Sequence, residues 1–163
     1  MRGAYPGTFD PPTIAHLAVA EAARIQCPLD QIDLVLNRDP LGKTGMRPLD
    51  ARIEMLEAVA ATRPWLRVVV TEKLHLADIA AEYDVLVLGA DKWAQVLDVA
   101  FYDSLEARDD AVARLPTLAV APRQGLVVPQ ECVLLDIDLS DVSSTAARAG
   151  RVDYVAPEAR PFM

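Results

Sequence analysis

Cysteine is scarce in this chain, and its two representatives, Cys27 and Cys132, lie far apart. A metal site built on cysteine needs closely spaced pairs, and no such pair occurs here. We therefore expect two reduced thiols, of the kind found in a reducing compartment, and no metal-ligating cluster.

Net positive charge is also missing, since the chain carries a formal charge of -8. Broad nucleic-acid binding needs a basic face that displaces counterions, so this class of function is not expected. A nucleotide pocket is still compatible, because it needs only a few local cations. No apolar run is long enough to span a bilayer, and the first residues lack the apolar core of a signal peptide. We expect a cytoplasmic protein without a membrane partner.

The length of 163 residues, with 52% hydrophobic and 25% charged residues, is typical of one soluble domain. We expect residues 1–163 to form this domain, with no repeat or linker. Short apolar runs alternate with stretches of helical spacing, beginning with a helix from residue 14 onward. Strands are predicted at residues 2–5, 31–37, 66–71, 85–88 and 117–121, with an edge-strand candidate at 132–137. Further helices are predicted at residues 49–60, 75–83, 90–100 and 103–114, and a terminal helix or turn at 144–149.

This alternation predicts an α/β fold, a Rossmann-like, doubly wound parallel sheet of five to six strands with helices on both faces. The runs VVV, VLVL and LAV are apolar throughout, as expected for strands that are covered on both sides. Ligands of such sheets bind beyond the carboxyl ends of the strands. The chemistry is therefore expected in the loops after the first, fourth and fifth strands.

The loop after the first strand combines several phosphate-binding features. Gly7 allows a close backbone approach to a ligand, and Thr13 is a suitable N-cap for the helix that follows. A helix N-terminus offers free N–H groups and partial positive charge to a phosphate. His16 falls in the first turn of that helix, where its imidazole can donate to a phosphate oxygen. The combination favours a nucleotide site over a plain turn with a surface histidine.

The segment YPGTFDPPTIAH, residues 5–16, resembles the signature of the HxGH/TxGH nucleotidyltransferases. This family includes phosphopantetheine, nicotinate-mononucleotide and glycerol-phosphate nucleotidyltransferases. Thr13 stands at the first motif position, and Ala15 stands where nearly all members have glycine. The resemblance implies that Gly7, Thr8, Phe9 and His16 bind the nucleotide, that Thr8 also reaches the acceptor, and that Thr13 and His16 contact the reacting phosphates.

A second segment, VSSTAAR at residues 142–148, supplies hydroxyl and amide donors and a guanidinium that can grip a polyphosphate with two hydrogen bonds. It resembles the family's second signature, ISSTxxR, which contacts the triphosphate. The resemblance assigns Ser143, Ser144, Thr145 and Arg148 to nucleotide binding. Two signatures in the right order near opposite ends of the chain are more specific than either alone.

The middle of the chain is expected to choose the acceptor. By resemblance, Lys43 binds the acceptor phosphate as a catalytic residue, and Arg47 on the same loop, residues 37–52, is predicted to bind the acceptor as well. The segment VLVLGADKW resembles nicotinate-mononucleotide adenylyltransferases and assigns Gly89 and Asp91 to nucleotide binding. Trp93 is predicted either to stack on the acceptor or to lie in the core. The acceptor leans towards nicotinate or nicotinamide mononucleotide, with a phosphopantetheine-like acceptor as the alternative.

The resemblance implies transfer of AMP from ATP to the acceptor phosphate with release of pyrophosphate, so a role in NAD biosynthesis is expected. Magnesium would bridge the phosphates, mostly through nucleotide oxygens, and no protein metal site is expected. The partners are therefore small molecules, and a homo-oligomer is compatible with the sequence. Two other classes stay open: a nucleotide-binding homologue without turnover, suggested by Ala15, and an α/β module without a ligand.

Overall fold

The computed structural model describes residues 1–40, 42–139 and 141–163. Its centre is a six-stranded sheet in the order β3-β2-β1-β4-β5-β6, and every neighbouring pair is parallel. The strands are β1 (Arg2–Gly7), β2 (Gln31–Asn37), β3 (Leu66–Thr71), β4 (Val85–Gly89), β5 (Thr117–Ala121) and β6 (Val133–Leu134). The predicted doubly wound α/β fold is confirmed.

The helices are α1 (Ile14–Gln26), α2 (Leu49–Ala61), α3 (Leu76–Ala80), α4 (Ala90–Leu97), α5 (Leu105–Ala113) and α6 (Ser144–Arg148). A short 3-10 helix lies between α4 and α5 at Val99–Phe101, and two more follow α6 at Val152–Tyr154 and Pro157–Phe162. None of the helices in the described part of the chain has the length and apolar character needed to cross a membrane.

Two hydrophobic clusters cover the two faces of the sheet. One holds the buried side chains of α1 and α2, and the C-terminal residues Val155 and Ala156 pack into it. The other holds Trp93 and Val96 of α4 together with Ile79 of α3. The central strand β4 supplies Val85 and Val87 to the first cluster and Leu86 and Leu88 to the second, because successive strand residues point to opposite faces.

Several elements differ in extent from the sequence prediction; the helix predicted at residues 75–83, for example, is reduced to Leu76–Ala80. Strand β1 continues to Gly7, so the glycine ends the strand rather than following it. The predicted helix at residues 90–100 is split, because the Asp98 side chain accepts a hydrogen bond from the Ala100 N–H and starts a separate 3-10 helix. The edge strand shrinks to the two residues of β6, which pair with β5.

The strand order places β1 and β4 side by side at the point where the chain changes direction across the sheet. From β1 the chain proceeds outward to β2 and β3, and it then returns to β4 on the other side of β1. Such a switch point leaves a crevice beyond the carboxyl ends of the two strands. Gly7 and Gly89, which end β1 and β4, therefore mark the floor of the expected site.

Candidate active site

A cleft of about 770 Å³ opens at this switch point. Its wall includes residues from the first loop, the loop after β2, the start of α4, the end of β5 and the start of α6. Most of the residues predicted for the site line this cleft, namely Gly7, Thr8, Phe9, Thr13, His16, Lys43, Gly89, Asp91, Ser143, Ser144, Thr145 and Arg148. The two sequence signatures thus meet in one place, whereas Arg47 and Trp93 do not line the cleft.

The first loop is held in place by the ring of Phe9, which packs under the cleft between Tyr5 and His16 and is called the aromatic wedge below. Phe9 is 1% exposed and takes a left-handed backbone conformation, with φ of 49°. Its ring packs edge-on against Tyr5, with centroids 5.4 Å apart, and against His16 at 5.0 Å. A Cβ atom on Gly7 would lie 2.7 Å from the Phe9 ring, so only glycine fits there. Phe9 therefore shapes the loop from beneath the cleft, and its role in nucleotide binding stays a prediction.

Thr13 and His16 form a reciprocal cap at the start of α1. The Thr13 hydroxyl accepts a hydrogen bond from the His16 backbone N–H at 3.3 Å, and the Thr13 N–H donates to Nδ1 of His16 at 2.9 Å. Because a backbone N–H can only donate, Nδ1 is the unprotonated nitrogen, and the proton of the neutral ring sits on Nε2. His16 is thus fixed as a hydrogen-bond donor at the cleft wall.

Burial keeps His16 neutral. Desolvation by the surrounding loop and aromatic rings lowers the pKa of His16 from 6.5 to about 4. A proton on Nδ1 would also face the Thr13 N–H, so the cap opposes the charged form as well. The residue is therefore suited to donate one hydrogen bond from Nε2 to an anion without itself carrying a charge.

The second signature is tied directly to the first loop. Ser143 caps α6 through the Ala146 N–H, and the Ser144 hydroxyl donates to the Pro11 carbonyl at 2.8 Å. The Arg148 guanidinium donates to the Asp10 carbonyl and to Thr145 Oγ1. These bonds place the exposed Arg148 at the same cleft as His16.

Asp10 joins the first loop to the loop after β2. Its carboxylate is almost fully buried and receives two hydrogen bonds from Arg47, from the backbone N–H at 3.1 Å and from Nη1 at 2.7 Å. Arg52, which is 1% exposed, donates to the carbonyls of Arg47 and Thr8. The guanidinium of Arg47 is thus used to hold the loops together, and its predicted contact with the acceptor does not fit this placement.

Helix α4 presents alternate faces to the cleft and to the core. Trp93 is 8% exposed and packs in the second hydrophobic cluster, so the core interpretation holds and stacking on the acceptor does not fit. Asp91 lines the cleft and forms an ion pair with Arg123 from the loop after β5. Arg123 also lines the cleft and was not predicted from the sequence, although it lies only two residues after a predicted strand.

A smaller cavity of about 70 Å³ adjoins the cleft at Gly7 and Thr8. Lys92 and Gln95 line both cavities, and the Lys92 ammonium donates to Gln95 Oε1 at 2.8 Å. Lys92 was not predicted from the sequence either. The position of Lys92 in VLVLGADKW, one residue after a predicted site aspartate, could have indicated a role in the site. The sequence alone, however, does not show which residues of α4 face the cleft.

The polar groups of the cleft suit anions better than metal ions. In the described part of the chain, no three His, Cys, Asp or Glu side chains gather as a metal site would need. The carboxylates of Asp10 and Asp91 are already paired with arginines, whereas Lys43, Lys92 and Arg148 form no ion pair among the described residues. The arrangement can bind a polyphosphate and stabilise charge that develops on it.

A parallel sheet whose switch-point cleft offers lysine, arginine and a helix N-terminus defines a nucleotide-binding α/β protein. The chain belongs to the cytidylyltransferase-like family, whose model matches residues 4–150 and so includes every residue that lines the cleft. It is a nucleotidyltransferase of the adenylyltransferase type, as the sequence predicted.

Within this family, two curated relatives are described as probable nicotinate-nucleotide adenylyltransferases. The protein from Bacillus pumilus (strain SAFR-032) is 30% identical over 175 residues, covering 96% of this chain and 91% of its own length. The protein from Listeria welshimeri is 31% identical over 156 residues, covering 87% and 81%. The fold also matches Plasmodium falciparum nicotinic acid mononucleotide adenylyltransferase complexed with APC, with a TM-score of 0.72, 15% identity, and coverage of 99% of this chain and 92% of that one.

Proposed function

We propose that this protein transfers AMP from ATP to nicotinate mononucleotide and releases pyrophosphate. The observation that carries the proposal is the convergence of His16, at the N-terminus of α1, and Arg148, near the end of the chain, on one cleft. The two relatives named after the same reaction support the choice of acceptor. Because both substrates are soluble nucleotides, we place the reaction in the cytoplasm.

In this reaction an oxygen of the acceptor phosphate attacks the α-phosphorus of ATP. The new P–O bond forms as the bond to the β-phosphate oxygen breaks, and pyrophosphate leaves with the electron pair. The acceptor phosphate is already ionised, so no protein nucleophile or strong base is needed. The protein contributes positioning and charge stabilisation.

His16 donates from Nε2 to an α-phosphate oxygen in this proposal. Its neutral ring is well suited, because hydrogen bonding from Thr13 N–H fixes the tautomer and the aromatic wedge fixes the ring plane. We assign Thr13 as a positioning residue that acts through His16, since its hydroxyl is buried and engaged in the cap.

Arg148 and the hydroxyls of Ser143–Thr145 would hold the pyrophosphate end of ATP. Lys43, exposed on the loop after β2, would bind the acceptor phosphate across the cleft. The cleft is built from both ends of the chain, which supports the view that residues 1–163 work as one domain. Because no cluster of acidic or histidine ligands lies among the described residues, magnesium would enter with ATP and would supply neutralisation of the polyphosphate charge.

The proposal is tested by measuring pyrophosphate release with ATP and a panel of acceptors. The panel contains nicotinate mononucleotide, nicotinamide mononucleotide and phosphopantetheine, and mass spectrometry identifies the product. We expect turnover with nicotinate mononucleotide, and a loss on the order of 10²–10³ in turnover for His16→Ala, as for other oxyanion donors. Full activity of His16→Ala would show that the assigned role is wrong.

A homologue that binds nucleotide without turnover gives a different result. In that case ATP with magnesium would raise the melting temperature, since a ligand at 100 times its Kd adds about 2.7 kcal/mol of stability, but no acceptor would release pyrophosphate. Turnover with phosphopantetheine alone would replace the proposed acceptor and leave the chemistry unchanged.

A further inference from the structure

Lys92 is a partly buried lysine without an acidic partner among the residues that the structure describes. Its ammonium donates to the neutral oxygen of Gln95 at 2.8 Å, and no carboxylate pairs with it. Burial, followed by the charge of Lys43, lowers the pKa of Lys92. A buried ammonium group beside a second cation is stabilised most when an anion binds next to both charges.

The smaller cavity next to the cleft is lined by aromatic and apolar side chains, as a site for a flat ring would be. The rings of His75 and Tyr102 stack at its wall, with centroids 4.9 Å apart and an angle of 17° between planes. Phe101, Leu76 and Ile79 add apolar surface. Lys43 does not line this cavity, so Lys92 is the only lysine or arginine that lines it in the described part of the chain.

Given the proposed function, the acceptor brings two anionic groups to this region, the phosphate and the ring carboxylate. The phosphate must lie near His16 and Lys43 in the larger cleft, where the transfer takes place. The ring then extends into the adjoining cavity, which shares Gly7 and Thr8 with the cleft. Lys92 and Gln95 line both cavities, so their side chains lie within reach of the carboxylate group on the ring.

We propose that Lys92, supported by Gln95, binds the ring carboxylate of the acceptor and so selects the acid over the amide. A carboxylate accepts a charge-assisted hydrogen bond from the Lys92 ammonium and a second one from the Gln95 side-chain NH2 group. A carboxamide carries no charge to pair with the lysine, and its own NH2 group would face a donor. This inference rests on the proposed function and adds a specificity residue to it.

The test compares nicotinate and nicotinamide mononucleotides, which differ only in this group and share the same phosphate. We expect Lys92→Gln, which keeps a chain of similar length and removes the charge, to lower kcat/KM for the acid roughly ten- to hundred-fold. The value for the amide should change little, and calorimetry of each acceptor without ATP should show the same contrast in Kd. Lys73→Gln is the matched control, because Lys73 is exposed and lines neither cavity.

Each other outcome points to a different error. An equal loss of kcat/KM with both acceptors means that Lys92 binds the shared phosphate. Unchanged kcat/KM values with both acceptors mean that Lys92 does not contact the acceptor. Either result overturns the inference alone. Absence of turnover and binding with both pyridine nucleotides in the wild type overturns the proposed function, and the inference with it. Unfolding midpoints without ligand show whether Lys92→Gln still folds.

Discussion

The neutral state of His16 makes a quantitative prediction about stability and pH. Burial lowers the pKa of His16 to about 4, whereas the unfolded chain has the ordinary value of 6.5. As the pH falls below 6.5 the unfolded state takes up a proton that the native state refuses. The free energy of unfolding therefore decreases through this window, and the contribution of His16 is fully restored above it.

The magnitude follows from these two pKa values. Each pKa unit between the native and unfolded states corresponds to about 1.4 kcal/mol, so at pH 5 the wild type loses at most about 2 kcal/mol through His16 relative to pH 8. This loss is an upper limit, because the His16 ring is partly exposed and solvent screens part of the effect of burial. His16→Gln removes the titrating group and keeps a side chain that suits a capping box at the third residue of α1. The free energy of unfolding of this variant should therefore lack the pH-dependent loss that His16 causes.

Urea unfolding of both proteins at pH 8, 6.5 and 5 measures the difference. Other acidic groups titrate in both proteins and cancel in the comparison. In a His75→Gln background His16 is the single histidine, so its imidazole NMR signals report its pKa directly. Parallel stability profiles, or an NMR pKa at or above 6.5, would refute the neutral, cap-held imidazole.

Three further predictions concern residues around the cleft. Thr13→Val should cost about 1 kcal/mol in urea unfolding and lower turnover by freeing His16, whereas Thr13→Ser should keep both properties; equal behaviour of the two variants would contradict the capping role. Asp10→Asn breaks a buried ion pair with Arg47, so it should lower the free energy of unfolding by about 3 kcal/mol and raise the KM for ATP. A change below about 0.5 kcal/mol, the usual effect of a neutral surface substitution, would contradict the role of this ion pair. Ala15→Gly should lower the KM for ATP several-fold by removing a methyl group from the cleft wall, while costing about 1 kcal/mol of helix stability; a KM that stays the same or rises would show that the methyl group does not crowd the nucleotide.

Much of the fold was predictable because its signals are local. The apolar strands β4 and β5 are covered on both faces and stand out as continuous runs, and the cap at Thr13 with its helix is encoded within four residues. The VVV run of β3 was expected to be covered in the same way, but β3 lies at the edge of the sheet and its valines are only partly buried. The site at the edge of the sheet then follows from parallel topology. These features depend on backbone geometry and on nearby residues alone.

The roles of Arg47 and Trp93 were not predictable in the same way. Arg47 is directed by Asp10, which lies 37 residues earlier in the chain. Lys92 and Trp93 are adjacent on α4, and neighbouring helix residues point about 100° apart. Tertiary packing alone decides that Trp93 enters the core and Lys92 the cleft wall. The short β6 likewise depends on its single neighbour β5.

The last part of the chain closes back on its beginning: Val155 bridges to Thr13, and the Ala156 N–H donates to the Pro12 carbonyl at 2.9 Å. During synthesis the early strands emerge well before these late residues, which follow α6 by only a few positions. A ribosome-bound nascent chain therefore holds half a phosphate site and has no catalytic function until residues 143–156 have been synthesised. At roughly 5–20 residues per second, that delay lasts on the order of ten seconds or more.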